Sequence, residues 1–406
     1  MIVRWQQKEV MAALKSFRVV NLTGARQCGK TTLAGMLSLP KVKRFTLDDD
    51  EMRKSAASDP YGFVERHDGE TIIIDEIQKV PALLNAIKRR VDQNGSKGQY
   101  LLTGSSNLHF VKAVGDSLAG RIGRVRLRTL ALGEISNGSG DFLHRAFCCD
   151  FPDDVRPLNK RKIISLATAS GYPEAMDMEG GMRRKWFSSY LDNLLVKDIY
   201  DVTEIRKRDV LVEIAKWLLT YSSKFFEVSE LASKTGVSKA TVENYIAGLK
   251  ALYLFDELSP WVKGDYSKIG KRSKFFVSDA GLIANILGWD DESIYMNDDR
   301  SGKIVESWVY QNLVALAECS GDYEISHYRD SNKREIDFIV ERNDGATVGI
   351  EVKSGSSLGA EDFKHLKWFS KNLAKGEFIG IVLYSGEHTL RFGEGFYAVP
   401  LAALGV

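Results

Sequence analysis

Close to its N-terminus the chain reads Gly24-Ala25-Arg26-Gln27-Cys28-Gly29-Lys30-Thr31, which fits the pattern G-x-x-x-x-G-K-T. The apolar run 17–22 before it predicts a buried strand, and the segment 30–39 predicts a helix. A glycine-rich loop between a strand and a helix can wrap backbone N–H groups around phosphate oxygens. Lys30 adds a positive charge, and the Thr31 hydroxyl can bind Mg²⁺. The stretch, with Thr32, is therefore predicted to bind a nucleoside triphosphate.

The length and composition are those of a protein with several domains. The chain has 406 residues, enough for roughly two to four domains. Lys and Arg number 56 against 54 Asp and Glu, so the net charge of +2 neither requires nor excludes nucleic acid. The four cysteines form no C-x-x-C pair, which argues against a zinc site and a disulfide framework. Charged N-terminal residues exclude a signal-peptide core, and no apolar run could span a membrane, so we expect a cytoplasmic protein.

Further apolar runs follow the loop at intervals that suit strands. They lie at 42–47, 71–74, 99–103 and 125–130, and helical segments such as 81–92 separate them. Because the runs are continuously apolar, they predict a parallel sheet covered by helices on both faces.

Polar residues follow two of these predicted strands. Asp75 and Glu76 come directly after the run 71–74. Beside a phosphate loop, Asp75 is predicted to support Mg²⁺ and Glu76 to polarise the attacking water. The alternative is an ordinary acidic cap at the start of a helix. Ser106 follows the next strand and is predicted either to sense the γ-phosphate or to cap a helix.

Arginines cluster around the fifth predicted strand. Arg121 is predicted to stabilise the charge of the transition state, in its own subunit or in a neighbour, and Arg124 is the second candidate. Arg124, Arg126 and Arg128 alternate with apolar residues and so share one strand face. The favoured interpretation is a solvated edge strand protected by charge. The alternative is a contact with nucleic acid or a second subunit.

The middle of the chain predicts helices and then a winged helix. Segment 163–217 is mostly helical, with an interruption at 171–173, and is predicted to form a lid behind the nucleotide. Segments 228–235 and 239–251 fit a helix-turn-helix, and 252–258 and 275–277 fit the strands of a wing. The presumed recognition helix offers Lys239, Thr241, Asn244 and Lys250, and the wing carries Lys263, Lys268, Lys271, Arg272 and Lys274. DNA is the favoured partner, and the alternative is a protein-contact module.

A second group of acidic residues lies in the last hundred residues. Asp337 lies in a predicted strand, and Glu351 and Lys353 share one face of the returning strand. Two carboxylates can bind Mg²⁺ or Mn²⁺, and a lysine beside them can orient or deprotonate water. Glu306, on a predicted helix, could add a third carboxylate. The set is typical of the restriction-endonuclease-like fold, and the alternative is a module of that architecture that only binds DNA or a partner.

Several motifs together resemble one family. They are Gly24 to Leu33, Asp75-Glu76-Ile77-Gln78, Leu102-Thr103-Gly104-Ser105-Ser106, Leu118-Ala119-Gly120-Arg121, Gly171-Tyr172-Pro173-Glu174, Asp279-Ala280-Gly281-Leu282, Arg334-Glu335-Ile336-Asp337 and Glu351-Val352-Lys353. The chain resembles the prokaryotic AAA-type ATPases that carry the C-terminal domain of unknown function 4143. The sequence departs from the family where Cys28 replaces an aliphatic residue and where 130–132 lacks a proline.

The resemblance implies an α/β fold with four parts. They are a P-loop AAA-type ATPase core at 1–135, a helical lid at 136–208, a winged helix at 209–300 and a nuclease-like domain of the PD-(D/E)xK type at 301–406. Two functions are open, and the intact Asp337, Glu351 and Lys353 favour the first. In one, ATP binding and hydrolysis control a tail that binds DNA and cleaves it with Mg²⁺ or Mn²⁺. In the other, a slow ATPase acts as a switch for protein or DNA binding, and the tail is catalytically silent. A homo-oligomer is a further expected partner.

Overall fold

The computed structural model describes residues 2–65, 69–104, 118–151, 155–203, 205–262, 272–374 and 376–406. Some residues that the sequence analysis singled out lie outside these ranges. They are Ser106 after the fourth strand and Lys263, Lys268 and Lys271 in the predicted wing.

A five-stranded parallel sheet forms the N-terminal part, in the order β2-β3-β4-β1-β5. Its strands are β1 (Val19–Thr23), β2 (Val42–Thr46), β3 (Thr71–Asp75), β4 (Tyr100–Gly104) and β5 (Ile122–Arg126). Alternate residues enter two separate cores, Val20 and Leu101 on one face and Val19 and Leu102 on the other. The surrounding helices are α1 (Gln6–Ser16), α2 (Lys30–Met36), α3 (Asp50–Ser58), α4 (Pro60–Glu65) and α5 (Ala82–Gln93). The parallel α/β sheet predicted from the apolar runs is confirmed.

The middle of the chain is helical and contains one antiparallel hairpin. Its helices are α6 (Leu132–Ser136), α7 (Phe142–Cys148), α8 (Lys160–Ala169), α9 (Gly180–Val196), α10 (Arg208–Thr220), α11 (Val228–Thr235), α12 (Lys239–Ala251), α13 (Ala280–Leu287) and α14 (Asp291–Tyr295). A 3₁₀ turn, Asp198–Asp201, follows α9. Strands β6 (Phe255–Leu258) and β7 (Lys274–Val277) pair between α12 and α13. The predicted interruption at 171–173 separates α8 from α9.

The C-terminal part is a mixed six-stranded sheet beside a long helix, α15 (Asp298–Ser320). The strand order is β12-β13-β11-β10-β9-β8. Its elements are β8 (Tyr323–Arg329), β9 (Glu335–Arg342), β10 (Thr347–Lys353), α16 (Lys364–Asn372), β11 (Phe378–Tyr384), β12 (Leu390–Arg391) and β13 (Phe396–Pro400). Strands β9 and β10 form the predicted hairpin, and α15 contains the predicted helix.

One hydrophobic core runs through all three parts. Val20 in β1, Leu211 in α10 and Ile350 in β10 belong to the same cluster of buried side chains. Helix α15 also bonds to the start of α6, because Asn312 Oδ1 accepts the Leu132 N–H at 2.6 Å. Packing is therefore continuous across the predicted domain boundaries. Within the described ranges, no helix has both the length and the apolarity that a membrane crossing requires.

The arginines of the fifth strand join these parts. Arg126 Nη2 lies 2.8 Å from Asp256 Oδ1, and Arg128 binds both oxygens of Glu318, at 2.8 and 2.7 Å. The Arg128 side chain is only 5% exposed. Strand β5 lies at the edge of the sheet, as predicted, but the predicted solvation is wrong for Arg126 and Arg128, because the middle and C-terminal parts cover them. Arg124 is exposed, as predicted.

Candidate functional site

The predicted phosphate loop connects the end of β1 to the start of α2. Two of its glycines are required by the backbone. Gly24 has φ +149°, and a Cβ atom there would lie 2.1 Å from the Leu127 carbonyl oxygen. Gly29 has φ +102° and directly precedes the helix. The loop therefore leaves the buried strand through a turn that other residue types would strain.

The side chains that follow the loop meet the end of β3. The Thr31 hydroxyl donates to Asp75 Oδ2 at 2.9 Å, and the Thr103 hydroxyl contacts the other oxygen of Asp75. Lys30 is buried, and its Nζ donates to the carbonyl oxygens of Gly24 and Ala25 at 3.0 and 2.8 Å. A hydroxyl and a carboxylate are ligand types that Mg²⁺ takes beside a bound triphosphate, so Thr31 and Asp75 fit this ion.

Glu76 follows Asp75 and is held in an uncommon conformation. Its φ is +58°, in the left-handed region. The Gln78 side-chain amide contacts its carboxylate. Burial raises the pKa of Glu76 above its usual value, and nearby Lys30 and the Gln78 hydrogen bond oppose part of that rise.

A cavity of about 1020 Å³ opens beside the loop. Its polar wall includes Lys30, Thr31 and Glu76. Its apolar wall comes from several elements and consists of Ile2, Leu33, Met36, Leu130, Pro173 and Met176. The turn after α9 contributes Asp198, whose Oδ1 accepts a hydrogen bond from Arg26 Nη1 at 3.0 Å. The helical middle thus supplies part of this cavity.

Arg4 is a residue of this site that sequence analysis missed. Its guanidinium is buried and donates to the Cys28 carbonyl at 2.9 Å, to the Arg128 carbonyl at 2.7 Å and to Glu134 Oε1 at 2.9 Å. Arg4 therefore fixes the back of the phosphate loop. No pattern near Arg4 signals this role, because Glu134 is 130 positions away in sequence.

Arg121 lies at the other end of the sheet. It directly precedes β5, whose first residue pairs with Val19 at the start of β1, whereas the phosphate loop follows the end of β1. Its Nη2 lies 3.1 Å from Asp92 Oδ2. The predicted contact of Arg121 with a phosphate in its own subunit is therefore wrong, and only a contact with a neighbouring subunit stays as a prediction.

The C-terminal carboxylates gather around a lysine from the hairpin. Lys274 Nζ lies 2.6 Å from Glu306 Oε1, 2.9 Å from Glu335 Oε1 and 3.4 Å from Asp337 Oδ1. Asp337 Oδ2 also accepts the Val352 N–H at 2.9 Å, beside Glu351. Helix α15, strand β9 and strand β10 thus bring the predicted carboxylates to one place.

The protonation of this group follows from burial and shared charge. Burial lowers the pKa of Lys274, but its carboxylate neighbours more than offset this effect, so the pKa lies above its usual value. Burial raises the pKa of Glu306 to about 8, against the opposing effect of Lys274. Burial, and then the charge of Asp337, raise the pKa of Glu351 well above its usual value. Several carboxyl groups therefore share one buried ammonium.

This group does not fit a divalent metal ion as it is arranged. The Lys274 ammonium lies among the oxygens that the sequence analysis assigned to Mg²⁺ or Mn²⁺. Across the described residues, no three His, Cys, Asp or Glu side chains are placed to hold a metal ion. Lys353, predicted to serve the attacking water, lies 3.5 Å from Asp362 in an ion pair. The predicted metal ligands Asp337 and Glu351 thus come together, but around a lysine.

The predicted DNA surface is partly engaged within the chain. Ser238 caps α12, where its hydroxyl accepts the Thr241 N–H at 3.1 Å. Asn244 Oδ1 accepts a hydrogen bond from the Thr203 hydroxyl at 2.9 Å, and Lys250 forms an ion pair with Glu257. Lys239 is exposed. Of the predicted wing cations within the described ranges, Arg272 pairs with Glu227 and Lys274 is buried.

Family models match three stretches of the chain. Residues 16–136 match the AAA domain, residues 160–293 match a domain of unknown function 8612, and residues 301–404 match the domain of unknown function 4143. The chain thus matches an AAA domain near its N-terminus and a domain of unknown function 4143 at its C-terminus, which confirms the resemblance predicted from the motifs. The N-terminal sheet and its phosphate loop lie within the residues that match the AAA domain.

Relatives are found among curated proteins. The uncharacterized proteins Rv2008c of Mycobacterium tuberculosis and Mb2031c of Mycobacterium bovis are each 26% identical to the chain over 394 residues. The match covers 96% of this chain and 81% of each relative. Neither name states an activity.

Solved structures of two other proteins are similar over part of the chain. The Walker-type ATPase PABY2304 of Pyrococcus abyssi has a TM-score of 0.39 and 13% identity, covering 70% of this chain and 94% of its own. RuvB of Thermotoga maritima has a TM-score of 0.29 and 18% identity, covering 63% and 89%. Both TM-scores are below 0.5, so these likenesses carry no argument about function.

Proposed function

We propose that the chain is an AAA-type ATP hydrolase that acts as a molecular switch, with a nuclease-like C-terminal domain that is catalytically silent. The observation that carries the proposal is the convergence of Lys30, Thr31, Asp75 and Glu76 at one edge of the parallel sheet, beside a cavity of about 1020 Å³. A cavity of this size suits a nucleotide.

The four side chains have three roles in this proposal: contact with the phosphates, support of Mg²⁺ and acceptance of a proton. Lys30 turns from the loop carbonyls to the β- and γ-phosphates when ATP binds. Thr31 and Asp75 would hold Mg²⁺, which neutralises charge on the phosphate oxygens when bound. Glu76 accepts a proton from the water that attacks the γ-phosphate.

The contact between Arg26 and Asp198 supports a switch. It joins the phosphate loop to the turn after α9, and a bound triphosphate would compete with Asp198 for the Arg26 guanidinium. Thr203, just after this turn, bonds to Asn244 on α12. The state of the nucleotide can therefore change the position of α12 through two adjacent contacts.

Metal-dependent processing of DNA is the second candidate function. The meeting of Glu306, Asp337 and Glu351 favours it, as does the order of α11, α12 and the β6–β7 hairpin, which is that of a winged helix. It would require a divalent ion where Lys274 now lies. Purified wild-type protein should therefore leave plasmid and single-stranded DNA intact with Mg²⁺ or Mn²⁺, with or without ATP. Cleavage that Asp337→Ala abolishes would favour the second candidate.

Two substitutions test the ATPase assignment. Lys30→Ala should weaken ATP binding by about tenfold or more, about 1.4 kcal/mol, because it removes a charge-assisted phosphate contact. Glu76→Gln should still bind ATP but lower turnover by about a hundredfold. Calorimetric titration and phosphate release measure the two effects.

Lys79→Ala is the matched control, because Lys79 lines the same cavity but its ammonium forms an ion pair with Asp48. It should leave ATP affinity nearly unchanged. Unchanged ATP affinity in a folded Lys30→Ala protein would contradict the assignment of the loop.

A further inference from the structure

We propose that the Lys274 ammonium is the resident cation of the C-terminal carboxylate group, and that it excludes a divalent metal ion from that position. The proposal concerns the tail only and does not depend on ATP hydrolysis. Lys274, which the sequence places on the predicted DNA-binding wing, is in the structure a buried internal cation.

The geometry around Lys274 is that of a bound cation. Three carboxylate oxygens, from Glu306, Glu335 and Asp337, lie within 2.6 to 3.4 Å of Nζ. An ammonium has three donors and no acceptor, so three oxygens satisfy it. The side chain is 2% exposed, so water contributes little. A divalent ion bound by the same oxygens would need the space that Nζ occupies.

The backbone around Lys274 is anchored to the C-terminal sheet. Lys274 pairs with Leu258 across the hairpin. Just after β6, the Trp261 N–H donates to the His327 carbonyl at 2.6 Å, and the His327 N–H donates to the Ser259 carbonyl at 3.0 Å. The hairpin thus extends along the edge strand β8. This pairing fixes the backbone of Lys274. The ammonium can therefore leave the three carboxylates only if the pairing breaks or the side chain changes its rotamer.

Substitution of Lys274 should therefore expose a group of oxygens that lacks its cation. Buried carboxylates left without a partner either take up protons or take up another cation. Carboxylate oxygens, which α15 and β9 supply here, are the ligands that Mn²⁺ and Mg²⁺ prefer. Lys274→Met keeps most of the aliphatic stem and removes the charge.

Titration of Mn²⁺ without nucleotide tests the proposal, with bound ion followed by electron paramagnetic resonance. Wild type and Asp337→Asn should bind Mn²⁺ equally, because neither uses the C-terminal carboxylates. Lys274→Met should bind one additional Mn²⁺ per chain. Its affinity for this ion should be about tenfold or more above any affinity that wild type shows for a second Mn²⁺. The addition of Asp337→Asn to Lys274→Met should abolish that gain.

Lys303→Met is the matched control. Lys303 is buried one turn before Glu306 on α15, and its Nζ lies 3.7 Å from Asp299 Oδ2, a carboxylate outside the group around Lys274. It should bind Mn²⁺ as wild type does. Thermal unfolding gives a second measure, since Mn²⁺ should raise the midpoint of Lys274→Met and leave that of Lys303→Met unchanged.

Two results would overturn the proposal. In the first, wild type binds Mn²⁺ and Asp337→Asn loses that binding. The metal ion and the Lys274 ammonium would then occupy the same group of carboxylates together. The other is a folded Lys274→Met protein that binds no more Mn²⁺ than wild type. The first comparison needs no lysine variant, so it decides the question even if Lys274→Met fails to fold.

Discussion

At the scale of the residue, Glu76 is held in a conformation that costs free energy. Its left-handed backbone costs about 1 kcal/mol or more for a residue other than glycine, and burial opposes ionisation of its carboxyl group. Such strain persists only where the surrounding structure imposes it. The Gln78 amide that contacts Glu76 is one source of that constraint.

The raised pKa of Glu76 predicts the acid side of the rate profile. A base must be ionised to accept a proton, so turnover should fall as the pH drops through a pKa above 4.5. Gln78→Ala removes a hydrogen bond that lowers this pKa, and the acid limb of kcat should then move to higher pH. Phosphate release measured from about pH 5 to 8 gives the profile. An identical acid limb in Gln78→Ala would contradict the role of Gln78.

Side chains with a fixed motif spacing could be predicted from the sequence, and those with distant partners could not. Lys30, Thr31, Asp75 and Glu76 follow from the loop pattern and from polar residues at a strand end. Arg4 could not be predicted, since its contacts join residues 24 and 130 positions away. The own-subunit role predicted for Arg121 is wrong because Arg121 lies at the edge of the sheet where β1 begins, whereas the phosphate loop lies at the edge where β1 ends.

At the scale of the element, the residues at and beyond the end of β5 bind two other parts of the molecule. Burial raises the pKa of Asp256, but the charges of Arg126 and Arg128 more than offset it, so the pKa lies below its usual value of 3.8. Ionised Asp256 therefore stabilises the fold above that pH, and this contribution is lost as the pH falls further.

Asp256→Asn should lower the free energy of unfolding by about 3 kcal/mol near neutral pH, because it leaves Arg126 and Arg128 buried without that partner. The difference from wild type should shrink at about pH 3, because the unfolded wild-type chain takes up a proton on this carboxyl group below its usual pKa while the folded chain still excludes it. Urea unfolding at the two pH values measures it. Glu292→Gln, which breaks an exposed pair with Arg161, is the control and should change stability little. An equal difference at both pH values would contradict the ionic role.

The alternation of arginine with apolar residues predicted the strand β5. It did not predict that carboxylates from other parts of the chain lie against its arginines. A charged strand face reads the same in sequence whether water or a carboxylate from another part of the chain lies against it. Asp256 and Glu318 lie 128 and 190 positions from Arg128, and only the fold brings them to it.

At the scale of the whole molecule, Arg121 can serve the phosphates only of another subunit. Its position at the start of β5 is far from the loop in its own chain. If subunits associate with this edge against a neighbour's nucleotide, hydrolysis per subunit should rise with protein concentration.

Mixing Arg121→Ala protein with Lys30→Ala protein should then restore part of the lost activity, because one interface pairs an intact loop with an intact arginine. Phosphate release from the mixture, compared with each variant alone, measures the rescue. Arg124→Ala, at an exposed position on the adjoining strand β5, tests in the same assay whether the second candidate arginine contributes instead. A rate that does not depend on concentration, without rescue, would leave Arg121 with the structural role of its pair with Asp92.

The α/β class and the parallel N-terminal sheet could be predicted, and the packing of the three parts could not. Apolar periodicity predicted the parallel sheet, the helices and the β9–β10 hairpin. The continuous core and the entry of Lys274 into the C-terminal carboxylates depend on contacts between distant segments. A basic residue on a predicted wing strand looks the same in sequence whether it faces DNA or a carboxylate.

The position of Lys274 has a consequence for the synthesis and the truncation of the chain. A fragment that begins at residue 301 would leave the counter-charge of its carboxylates behind on β7, so we expect it to be less stable than the same tail with the hairpin attached. During translation Lys274 emerges before Glu306, Glu335 and Asp337, so the segment that carries the cation is made before the carboxylates that bind it. We therefore expect the hairpin and the tail to fold as one unit, although a predicted domain boundary lies between them.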